Sequence, residues 1–573
     1  MNGLTRRWEG PPPTNPRLGL IERILEGRGL ANPDDREHFL VPKLSDMADP
    51  GELAGVGDAA TCLADAVEAG RRVMIYGDYD ADGITASAVL HHVIAAASGR
   101  EGPGIYIPHR VDEGYGIHSE AVRQLASDGV ECIVSVDCGI TGVEAAEVAR
   151  DVGIELIITD HHQPLSDGSL PDCAAIVHPG LEGPPATPLA GVGVAFKLAW
   201  ALATQVSGGE RATPKLRDRL LTMLPLVAIG TIADLVPLIG DNRPLVYWGL
   251  NGLRKTAIPG LKALLAASGF ADATAISAGD VGFRIAPLLN AAGRLTHASE
   301  AVDLLTHLDG DLARAAAEDL SRLNKKRQGV QDAIVTGAME AAEEAGMIGG
   351  DRRIIILSDP NWHRGVVGTA ASRVQERHHR PVILLAEDEE GGLHGSARSI
   401  NGYSILEGLT CCEAHLDSWG GHPMAAGVSL RKDALEDFIA SMTEHANAGI
   451  DESMLIGRVK IDAMSDLREL SGENVTALDR MQPTGVGNPQ PVVIIRGVAV
   501  QKIGAMGGGG KHLQLRVRER GGNRTLRCVW WNQGERAGEF PSGTVIDLVG
   551  KPAMSSWSGN PELTVLDVAL PGG

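Results

Sequence analysis

Short apolar runs that alternate with helical segments constrain the fold more than any other feature of this sequence. The runs RVMIY (72–76), ECIVSV (131–136) and IELIIT (154–159) are each bounded by helical or turn-rich stretches. Runs of this length and spacing predict a parallel sheet that is covered by helices on both faces. In such a sheet, ligands bind beyond the carboxyl ends of the strands. We therefore expect an α/β domain with a binding crevice along that edge.

The rest of the chain is expected to form further domains, because 573 residues exceed what a single hydrophobic core supports. Residues 18–41 and 215–238 have helical patterns, and the charged stretch 296–347 predicts a long connecting helix. A second α/β pattern begins at RRIIILS (352–358). After the turn-rich PTGVGNPQP (483–491), alternating strands with few helical signals favour a small β-barrel.

The composition bears on compartment and partners. No apolar run approaches the ~18 residues that a membrane span requires, and the first residues lack the apolar region of a secretory signal. The seven cysteines form no C-x-x-C pair, and their odd number fits reduced thiols in a cytoplasm. The formal net charge of −21 decides little about nucleic acid, because a local basic groove can coexist with an acidic average. We expect a cytoplasmic protein that does not enter a membrane.

Ionisable side chains follow each of the three apolar runs. They are Asp78, Asp80 and Asp82 after the first run, Asp137 after the second, and Asp160, His161 and His162 after the third. Each one taken alone is explained by a polar turn or by a satisfied core histidine. Adjacent parallel strands lie only ~5 Å apart. The sequence therefore predicts that side chains from all three places, among them Asp82, Asp137 and His161, share one crevice.

A further carboxylate, Asp234, lies in PLVAIGTIADLVPL, which reads as a strongly apolar helical segment. An unpaired carboxylate in such surroundings would cost several kcal/mol. A helix cap or an ion pair explains Asp234 when it is taken alone. A metal ligand is the alternative.

So much negative charge in one crevice requires cations. Two divalent ions ~3.5–4 Å apart, bridged by one carboxylate, are the economical arrangement. Mixed Asp and His ligands favour Mn²⁺ over Mg²⁺, which prefers oxygen ligands and keeps its waters. Two-metal centres of this kind hydrolyse phosphate esters by in-line attack of water. We therefore expect two divalent ions, with Mn²⁺ preferred and Mg²⁺ as the other candidate.

The motifs also carry a family resemblance. GDYDADGIT, SVDCG, TDHH and VAIGTIADLVPL resemble the four ordered motifs of the DHH phosphoesterase superfamily. Within it, the chain resembles the RecJ family of bacterial single-strand-specific 5′→3′ DNA exonucleases. The segments that carry this second resemblance are YIPHRVDEGYGIH (106–118), LAGVGVAFKLAWAL (189–202), FRIAPLLNAAGRL (283–295), GSARSI (395–400) and GGHPMAAG (420–427).

The resemblance implies a domain organisation and a biological role. The implied domains are an N-terminal helical segment (1–54), a DHH phosphoesterase domain (55–240), a helical connector (241–347), a DHHA1-like substrate-binding domain (348–452) and an OB-like single-strand-binding domain (453–573). It implies a two-metal exonuclease in DNA repair and recombination. A single-strand-binding protein and a RecQ-type helicase are the partners that it implies. The chain shows no repeats or heptads, which favours a monomer.

The resemblance also assigns roles at the metal centre. The metals would be held by Asp78, Asp80, Asp82, Asp137, His161 and Asp234, and Asp137 would bridge them. His162 would face the scissile phosphate, and Asp160 would orient a histidine. The division of the three aspartates at 78, 80 and 82 between ligand and supporting roles stays open.

Contacts to DNA are implied at three places. Arg110, Tyr115 and Arg294 lie in stretches of loop character and would contact the nucleic acid. Ser396, Arg398 and His422 would form a pocket for a 5′-terminal phosphate. Arg516 and Arg518 alternate with apolar residues in KHLQLRVRERGGNRTLR (511–527), so a strand there would present one basic face. A solvated edge strand is the alternative for this last stretch.

Two other functions compete with the exonuclease. The first is a phosphodiesterase for short oligonucleotides or cyclic dinucleotides, which would need no domain beyond the two α/β domains. Residues 455–573 therefore favour longer DNA. The second is a scaffold protein without activity, which should have lost metal ligands, whereas this chain retains the set.

Overall fold

The computed structural model describes residues 2–181, 187–349, 352–388, 390–555 and 557–570. The chain divides into two compact units. We call Pro42–Asp332 together with Pro483–Pro489 the first unit, and Met1–Val41, Ala333–Gln482 and Gln490–Gly573 the second unit. No helix in the described ranges combines the length and the hydropathy that crossing a bilayer demands.

The strands are β1 (Arg7–Glu9), β2 (Val73–Tyr76), β3 (Gly104–Tyr106), β4 (Cys132–Val136), β5 (Glu155–Thr159), β6 (Ala175–Val177), β7 (Ile355–Asp359), β8 (Val382–Glu387), β9 (Gly392–Arg398), β10 (Ser418–His422), β11 (Ala425–Arg431), β12 (Arg458–Lys460), β13 (Ala463–Ser465), β14 (Val493–Met506), β15 (His512–Arg518), β16 (Thr525–Trp530), β17 (Val545–Met554) and β18 (Pro561–Ala569).

The α-helices are α1 (Leu20–Gly27), α2 (Pro33–Leu40), α3 (Val56–Glu68), α4 (Ala81–Ser98), α5 (Ser119–Ser127), α6 (Val143–Asp151), α7 (Gly191–Gln205), α8 (Pro214–Ala233), α9 (Asn242–Leu253), α10 (Pro259–Ala267), α11 (Ala278–Asp280), α12 (Ala286–Leu295), α13 (Ser299–Thr306), α14 (Gly310–Glu344), α15 (Arg364–His378), α16 (Ile405–Cys411), α17 (Leu435–Gly449) and α18 (Gly472–Leu478). A π-helix, Val281–Ile285, precedes α12.

The first unit is built on a five-stranded parallel sheet in the order β3-β2-β4-β5-β6. Successive side chains of a strand point to opposite faces. Accordingly, Val134 packs in the same core as helices α4, α7 and α8, whereas Ile133 packs in the core that contains α5 and α6. Both faces of the sheet are thus covered, and the predicted parallel α/β architecture is confirmed.

The α8–α9 connection differs from the expected helix over 215–238. Helix α8 ends at Ala233, and Asp234 occupies its C-terminal cap. Leu235 has a φ of +61°, in the left-handed region that ends a helix. Pro237 disfavours helical geometry at the residue before it. Asp234 therefore lies at a helix end and not inside a helix.

The expected connecting helix is α14, but the expected helical stretch over 296–347 is interrupted. Residues 307–309 separate α13 from α14, and Gly310 has a φ of +51°, which glycine adopts at little cost. Helix α14 then runs for 35 residues.

The second unit contains a five-stranded sheet in the order β10-β11-β9-β8-β7. Strands β7 and β8 are parallel, and the other neighbours are antiparallel. Phe438 of α17 and Leu409 of α16 are buried in the core of this sheet. The predicted second α/β domain is confirmed.

The C-terminal strands of the second unit form a closed barrel in which β14-β15-β16-β18-β17 follow one another and β17 pairs with β14. Leu513, Leu515 and Val517 of β15 are buried inside it. Apolar residues of α1, among them Ile24, pack in the same core. The predicted β-barrel is confirmed.

Candidate metal centre

Three neighbouring strands of the first unit end at one edge of the sheet. Tyr76 of β2 pairs with Ser135 of β4, and Ser135 pairs with Ile158 of β5. This register brings the residues that follow each strand next to one another. The structure thereby brings the aspartates and histidines of the three strand ends into a single cluster.

The first turn of α4 presents two carboxylates. Asp80 caps this helix, since its Oδ1 accepts hydrogen bonds from the backbone N–H of Asp82 (2.8 Å) and of Gly83 (3.2 Å). The Asp82 carboxylate is 1% exposed and accepts from the N–H of Gly191 (2.7 Å) and of Val192 (2.9 Å). Both donors belong to the N-terminus of α7, whose partial positive charge stabilises a carboxylate. The α7 terminus therefore fixes the orientation of Asp82.

Asp137 lies directly beyond β4 with a φ of +62°. Its N–H donates to the carbonyl oxygen of Thr159 at 3.0 Å, and the residue is 2% exposed. A Cβ atom on Gly191 would lie 2.4 Å from the Oδ1 of Asp137. Glycine at position 191 is therefore required for the carboxylate of Asp137 to occupy this position.

His161 connects carboxylates from three elements. Its Nε2 atom lies 3.1 Å from Oδ1 of Asp137, 3.7 Å from Oδ2 of Asp234 and 3.9 Å from Oδ2 of Asp82. The end of α8 thus contributes Asp234 to a cluster whose other members follow strands. Residues that are far apart in the sequence therefore meet around one imidazole nitrogen.

Asp160 holds His162 in a defined orientation. Oδ1 of Asp160 lies 2.8 Å from Nδ1 of His162, and Oδ2 accepts from the backbone N–H of Ile140 at 2.9 Å. The hydroxyl of Tyr115 lies 2.8 Å from the same Nδ1 and donates to the backbone oxygen of Asp137 at 3.2 Å. These contacts of Nδ1 fix the orientation of the His162 ring and therefore the direction in which Nε2 points.

Burial and crowding make the carboxyl groups hard to ionise without a counter-charge. Burial, with added repulsion from Asp80, raises the pKa of Asp82 to about 7. Burial and the charge of Asp82 raise the pKa of Asp234 to about 9. Burial also raises the pKa of Asp137 well above its ordinary value. A divalent cation would supply the missing positive charge.

The pKa values of His162 and Asp160 are shifted so that both side chains favour their charged forms. Burial lowers the pKa of His162, but the hydrogen bond to Asp160 and its charge outweigh burial and raise the pKa to about 9. Burial opposes ionisation of Asp160, yet His162 holds the pKa of this carboxyl below its ordinary value. The two side chains therefore form an imidazolium–carboxylate pair at neutral pH.

The donor set fits divalent metal ions. Three groups have ligand atoms within 4.8 Å of one another, and these are Asp137 with His161 and His162, Asp82 with His161 and Asp234, and Asp78 with Asp80 and Asp137. Among the described residues, Oδ1 of Asp78 and Oδ1 of Asp137 are buried without a hydrogen-bond partner. Buried carboxylate oxygens in that state are costly unless an ion binds them.

Two arginines approach one aromatic ring beside the cluster. The guanidinium of Arg110 lies 4.6 Å from the ring centre of Tyr79. Burial raises the pKa of Tyr79, and the charges of Arg110 and Arg294 oppose the rise. Gly293, next to Arg294, lies close to the backbone of Tyr79, since a Cβ atom on it would be 2.5 Å from the Tyr79 carbonyl oxygen. Arg294 lies in the last turn of α12, and the expectation of a loop at this position is wrong. Pro287 near the start of α12 is tolerated there.

The residues expected to bind a terminal phosphate lie in the second unit. Ser396 and Arg398 alternate along β9, and Ala425 of β11 pairs with both Arg398 and His422 of β10. The Nε atom of Arg398 donates to Oγ of Ser372 at 3.0 Å. These pairings bring Arg398 and His422 into one row across the sheet.

The basic strand of the barrel has the predicted alternation. Arg516 and Arg518 of β15 are exposed, and Leu515 and Val517, which alternate with them, are buried. They lie on the outer face of the barrel in the second unit. Within the described ranges, neither guanidinium forms an ion pair.

Comparisons with known proteins identify the family. The DHH family N-terminal domain matches residues 72–231, the DHHA1 domain matches 351–448 and the RecJ OB domain matches 461–566. The single-stranded-DNA-specific exonuclease RecJ of Escherichia coli (strain K12) is 34% identical over 96% of this chain and 95% of its own length. The chain belongs to the RecJ family.

Other RecJ proteins agree with this assignment. The RecJ exonuclease of Bacillus subtilis (strain 168) is 37% identical over 96% of this chain and 68% of its own length. The structure of RecJ from Thermus thermophilus in complex with Mn²⁺ superimposes with a TM-score of 0.81 at 30% identity, covering 99% of this chain and 80% of that one. The Mg²⁺ complex of the same protein gives a TM-score of 0.75 at 29% identity, covering 99% and 78%.

Some residues that shape this RecJ-family site could not be recognised from the sequence one position at a time. Gly191 leaves room for Asp137, and a Cβ on Gly230 would lie 2.7 Å from Oδ1 of Asp82. Oδ1 of Asn290 accepts from the N–H of Ala81 at 2.7 Å and fixes the start of α4. These residues lie in motifs that resemble the family, but which atoms they approach depends on the tertiary fold.

Proposed function

We propose that this RecJ-family chain is a single-stranded-DNA-specific exonuclease that hydrolyses phosphodiester bonds in the 5′→3′ direction, in DNA repair and recombination. The observation that carries the proposal is the cluster of carboxylates and imidazoles in which Oδ1 of Asp78 and of Asp137 are buried without a hydrogen-bond partner among the described residues. Relatives that align with nearly the whole chain bear the name of such an exonuclease.

The metal ligands in this proposal are Asp78, Asp80, Asp82, Asp137, His161 and Asp234. Asp137 and His161 each belong to two of the three ligand groups. Of these two, Asp137 has a second carboxylate oxygen, which supports it as the ligand that two ions would share. Mixed oxygen and nitrogen donors favour Mn²⁺, with Mg²⁺ as the other candidate. Bound there, two divalent ions would supply the charge that activates water for in-line attack and stabilises the transition state at phosphorus.

The side chains around the ligands orient the phosphodiester. His162, held by Asp160 at 2.8 Å, donates a hydrogen bond from Nε2 to an oxygen of the scissile phosphate. Arg110 and Arg294 bind backbone phosphates of the strand. The ring of Tyr115 is 40% exposed and stacks on a base, while its hydroxyl stays bound beside Asp137.

The second unit supplies the recognition of the strand and its end. Ser396, Arg398 and His422 bind a 5′-terminal phosphate, which accounts for action from that end. Arg516 and Arg518 on the barrel bind phosphates of the single strand without reading its sequence. The match of the RecJ OB domain to residues 461–566 supports a substrate longer than a dinucleotide.

The domain organisation in this proposal keeps the boundaries expected from the sequence. They are 1–54 for the N-terminal helical segment, 55–240 for the DHH domain, 241–347 for the connector, 348–452 for the DHHA1-like domain and 453–573 for the OB-like domain. The protein acts as a monomer in the cytoplasm, with a single-strand-binding protein and a RecQ-type helicase as partners. Seven free cysteines support a reducing compartment.

The proposal is tested with single-stranded oligonucleotides that carry a label at the 5′ or the 3′ end, in Mn²⁺, Mg²⁺ or EDTA. An Asp137→Ala variant and a duplex of the same sequence are the controls. We expect metal-dependent release of mononucleotides from the 5′ end, absent for the duplex and for the variant. If long strands survive while dinucleotides or cyclic dinucleotides are cut, the metal centre stands and the DNA assignment fails. If no phosphodiester is hydrolysed, the exonuclease proposal is overturned.

A further inference from the structure

We propose that residues 483–489, which we call the clamp segment, position the Asp234 carboxylate from behind the metal centre. This inference rests on the proposed function, because it takes Asp234 as a metal ligand. The clamp segment has the sequence PTGVGNP. It belongs to the first unit, although the chain up to 482 and from 490 belongs to the second. Seven residues of the C-terminal part of the chain are thus built into the unit that carries the metal centre.

The connection from α8 to α9 needs such a support. Asp234 is its first residue, and Leu235 follows with a φ of +61°. This left-handed conformation is unfavourable for a residue with a Cβ atom. It persists where the surrounding structure holds the backbone in place. The Leu235 side chain is 68% exposed, so its own packing contributes little. The N–H of Leu235 donates to the carbonyl oxygen of Ile232 at 3.3 Å, so the end of α8 supplies one contact. The residues that follow Leu235 supply further ones.

The clamp segment contacts those residues directly. The backbone oxygen of Val486 accepts a hydrogen bond from the N–H of Leu238 at 2.8 Å. A Cβ atom on Gly487 would lie 3.1 Å from Cβ of Pro237 and 3.3 Å from Cγ2 of Ile239. The backbone of the clamp segment therefore lies against the connection four residues beyond Asp234.

The clamp segment is held in its own shape by buried polar groups. The backbones of Gly485 and Asn488 exchange two hydrogen bonds, at 2.8 and 3.2 Å. Nδ2 of Asn488, which is 1% exposed, donates to the oxygen of Pro483 at 2.8 Å. Nη1 of Arg243, a buried residue of α9, donates to the same oxygen at 3.3 Å. A segment fixed in this way can hold Leu238 in place.

Loosening the clamp segment should affect the binding of metal and not the contact with DNA. Three residues separate Asp234 from Leu238, so a shift of Leu238 is passed to Asp234 through a short, strained backbone. Oδ2 of Asp234 lies 3.7 Å from Nε2 of His161, and the two residues belong to one ligand group. Loosening the clamp segment should therefore weaken the binding of a divalent ion while leaving the DNA contacts intact. The clamp residues are positioning residues.

The test uses Gly487→Ala with Gly497→Ala as its matched control. Both glycines have positive φ, +75° and +64°, but a Cβ atom on Gly497 would meet no atom within 4 Å. The full-length variants are titrated with Mn²⁺ in the absence of DNA, and free Mn²⁺ is followed by electron paramagnetic resonance. We expect about tenfold weaker binding of one ion in Gly487→Ala and no change in the control. The kcat should fall at limiting Mn²⁺ and recover at high Mn²⁺, with the KM for the oligonucleotide unchanged.

A second readout needs no metal. Amide hydrogen exchange at Leu238 should be faster in Gly487→Ala than in Gly497→Ala, because the hydrogen bond to Val486 is weakened. Adding Leu235→Asn to Gly487→Ala should restore Mn²⁺ affinity, because asparagine adopts the left-handed conformation more readily. If the second substitution restores none of the affinity, the role assigned to Leu235 is overturned.

The outcomes separate this inference from the proposed function. If Asp234→Ala binds Mn²⁺ as the unaltered protein does, Asp234 is not a ligand and the proposed centre fails. If Asp234→Ala binds weakly while a folded Gly487→Ala binds normally, the clamp is overturned and the centre stands. Should Gly487→Ala not fold, Gly485→Ala replaces it, because its Cβ would lie 2.8 Å from Cδ1 of Leu238 and would displace this buried side chain. Normal Mn²⁺ binding and normal exchange at Leu238 in that variant overturn the clamp equally.

Discussion

Oδ1 of Asp160 lies 2.8 Å from Nδ1 of His162, and the same oxygen accepts hydrogen bonds from the backbone N–H of His161 at 2.7 Å and of His162 at 3.1 Å. One buried carboxylate therefore fixes the backbone and the ring of the histidine pair together. The pair enters the cluster in a single orientation, His161 towards the carboxylates and His162 beside Tyr115.

Replacing Asp160 with asparagine should lower kcat by about 10- to 100-fold, because the neutral amide neither orients nor charges His162 as the carboxylate does. The measurement is the initial rate on a 5′-labelled single strand at saturating Mn²⁺. Asp167→Asn is the matched control, since Asp167 is an exposed residue of the following loop. Equal rates for the two variants would contradict the role of Asp160.

Substituting Gly191 with alanine should weaken metal binding, because the added Cβ would lie 2.4 Å from Oδ1 of Asp137 and must displace it. We expect Mn²⁺ affinity to fall by at least about tenfold, measured by calorimetric titration. Gly193→Ala, two residues further in the same helix, is the matched control, because the atoms nearest to its Cβ belong to the Leu189 side chain and lie 3.3 Å away or more. The prediction fails if both variants bind Mn²⁺ equally well.

Replacing one carboxyl group of the cluster with an amide should stabilise the metal-free protein. Burial and the neighbouring carboxylates raise the pKa of Asp137, so folding must either protonate this group or hold it charged against repulsion, and Asp137→Asn removes both costs. Asparagine also tolerates the positive φ at this position. We expect the metal-free Tm to rise by about 2–5 °C, while added Mn²⁺ no longer raises it. The measurement is thermal unfolding by circular dichroism with EDTA and with Mn²⁺. A lower metal-free Tm for the variant would show that the carboxylates do not repel one another as argued.

Acid should destabilise the first unit through His92 of α4. Burial lowers the pKa of His92 from 6.5 to about 4, and its Nε2 lies 2.9 Å from the carbonyl oxygen of Leu305. The folded state therefore prefers the neutral ring. The stability that this ring contributes is complete above pH 6.5 and is lost as the pH falls from 6.5 towards 4, by up to about 3 kcal/mol.

The check is the Tm of the unaltered protein and of His92→Gln between pH 7.5 and 5. The amide of glutamine can donate a hydrogen bond to the carbonyl oxygen of Leu305 and does not titrate. The Tm of the variant should therefore fall less on acidification than the Tm of the unaltered protein. His38→Gln on the exposed face of α2 serves as the control. Identical pH dependence in all three proteins would rule out His92 as the cause.

Neutralising the basic face of the barrel should weaken binding of long strands. In Arg516→Gln/Arg518→Gln, the KM for a long single strand should rise and the dependence of log affinity on log salt should flatten by about 0.7 per lost phosphate contact. The kcat on short oligonucleotides should not change. Arg123→Gln/Arg217→Gln, which removes two exposed arginines of α5 and α8, is the charge-matched control. A salt dependence equal to that of the control would mean that β15 does not bind the strand.

Local pattern was enough to predict much of the fold. The β-branched runs that became β2, β4 and β5 were recognisable, because strand formation and burial depend on the period of nearby side chains. The aspartates and histidines that follow these strands were recognisable for the same reason. Parallel strands place their carboxyl ends together, so proximity within this part of the cluster followed from the pattern.

Local pattern misled where backbone geometry is set by distant neighbours. Helix α8 ends at Ala233, short of the predicted end at 238, because Leu235 takes a left-handed conformation beside Pro237. Arg294 lies in a helix, although the stretch around it was predicted to have loop character. Glycine is required at 293, because a Cβ there would lie 2.5 Å from the backbone oxygen of Tyr79, a contact that no local pattern reveals.

The sequence by itself determined the strands, the residues at their ends and the resemblance to a phosphoesterase, since each depends on residues close together in the chain. Only the tertiary structure decided that Asp234 approaches His161, that Gly191 makes room for Asp137 and that residues 483–489 lie against the α8–α9 connection. These contacts join positions separated by tens to hundreds of residues. They form because packing of the whole unit, and not the propensity of any segment, determines which backbones can approach one another.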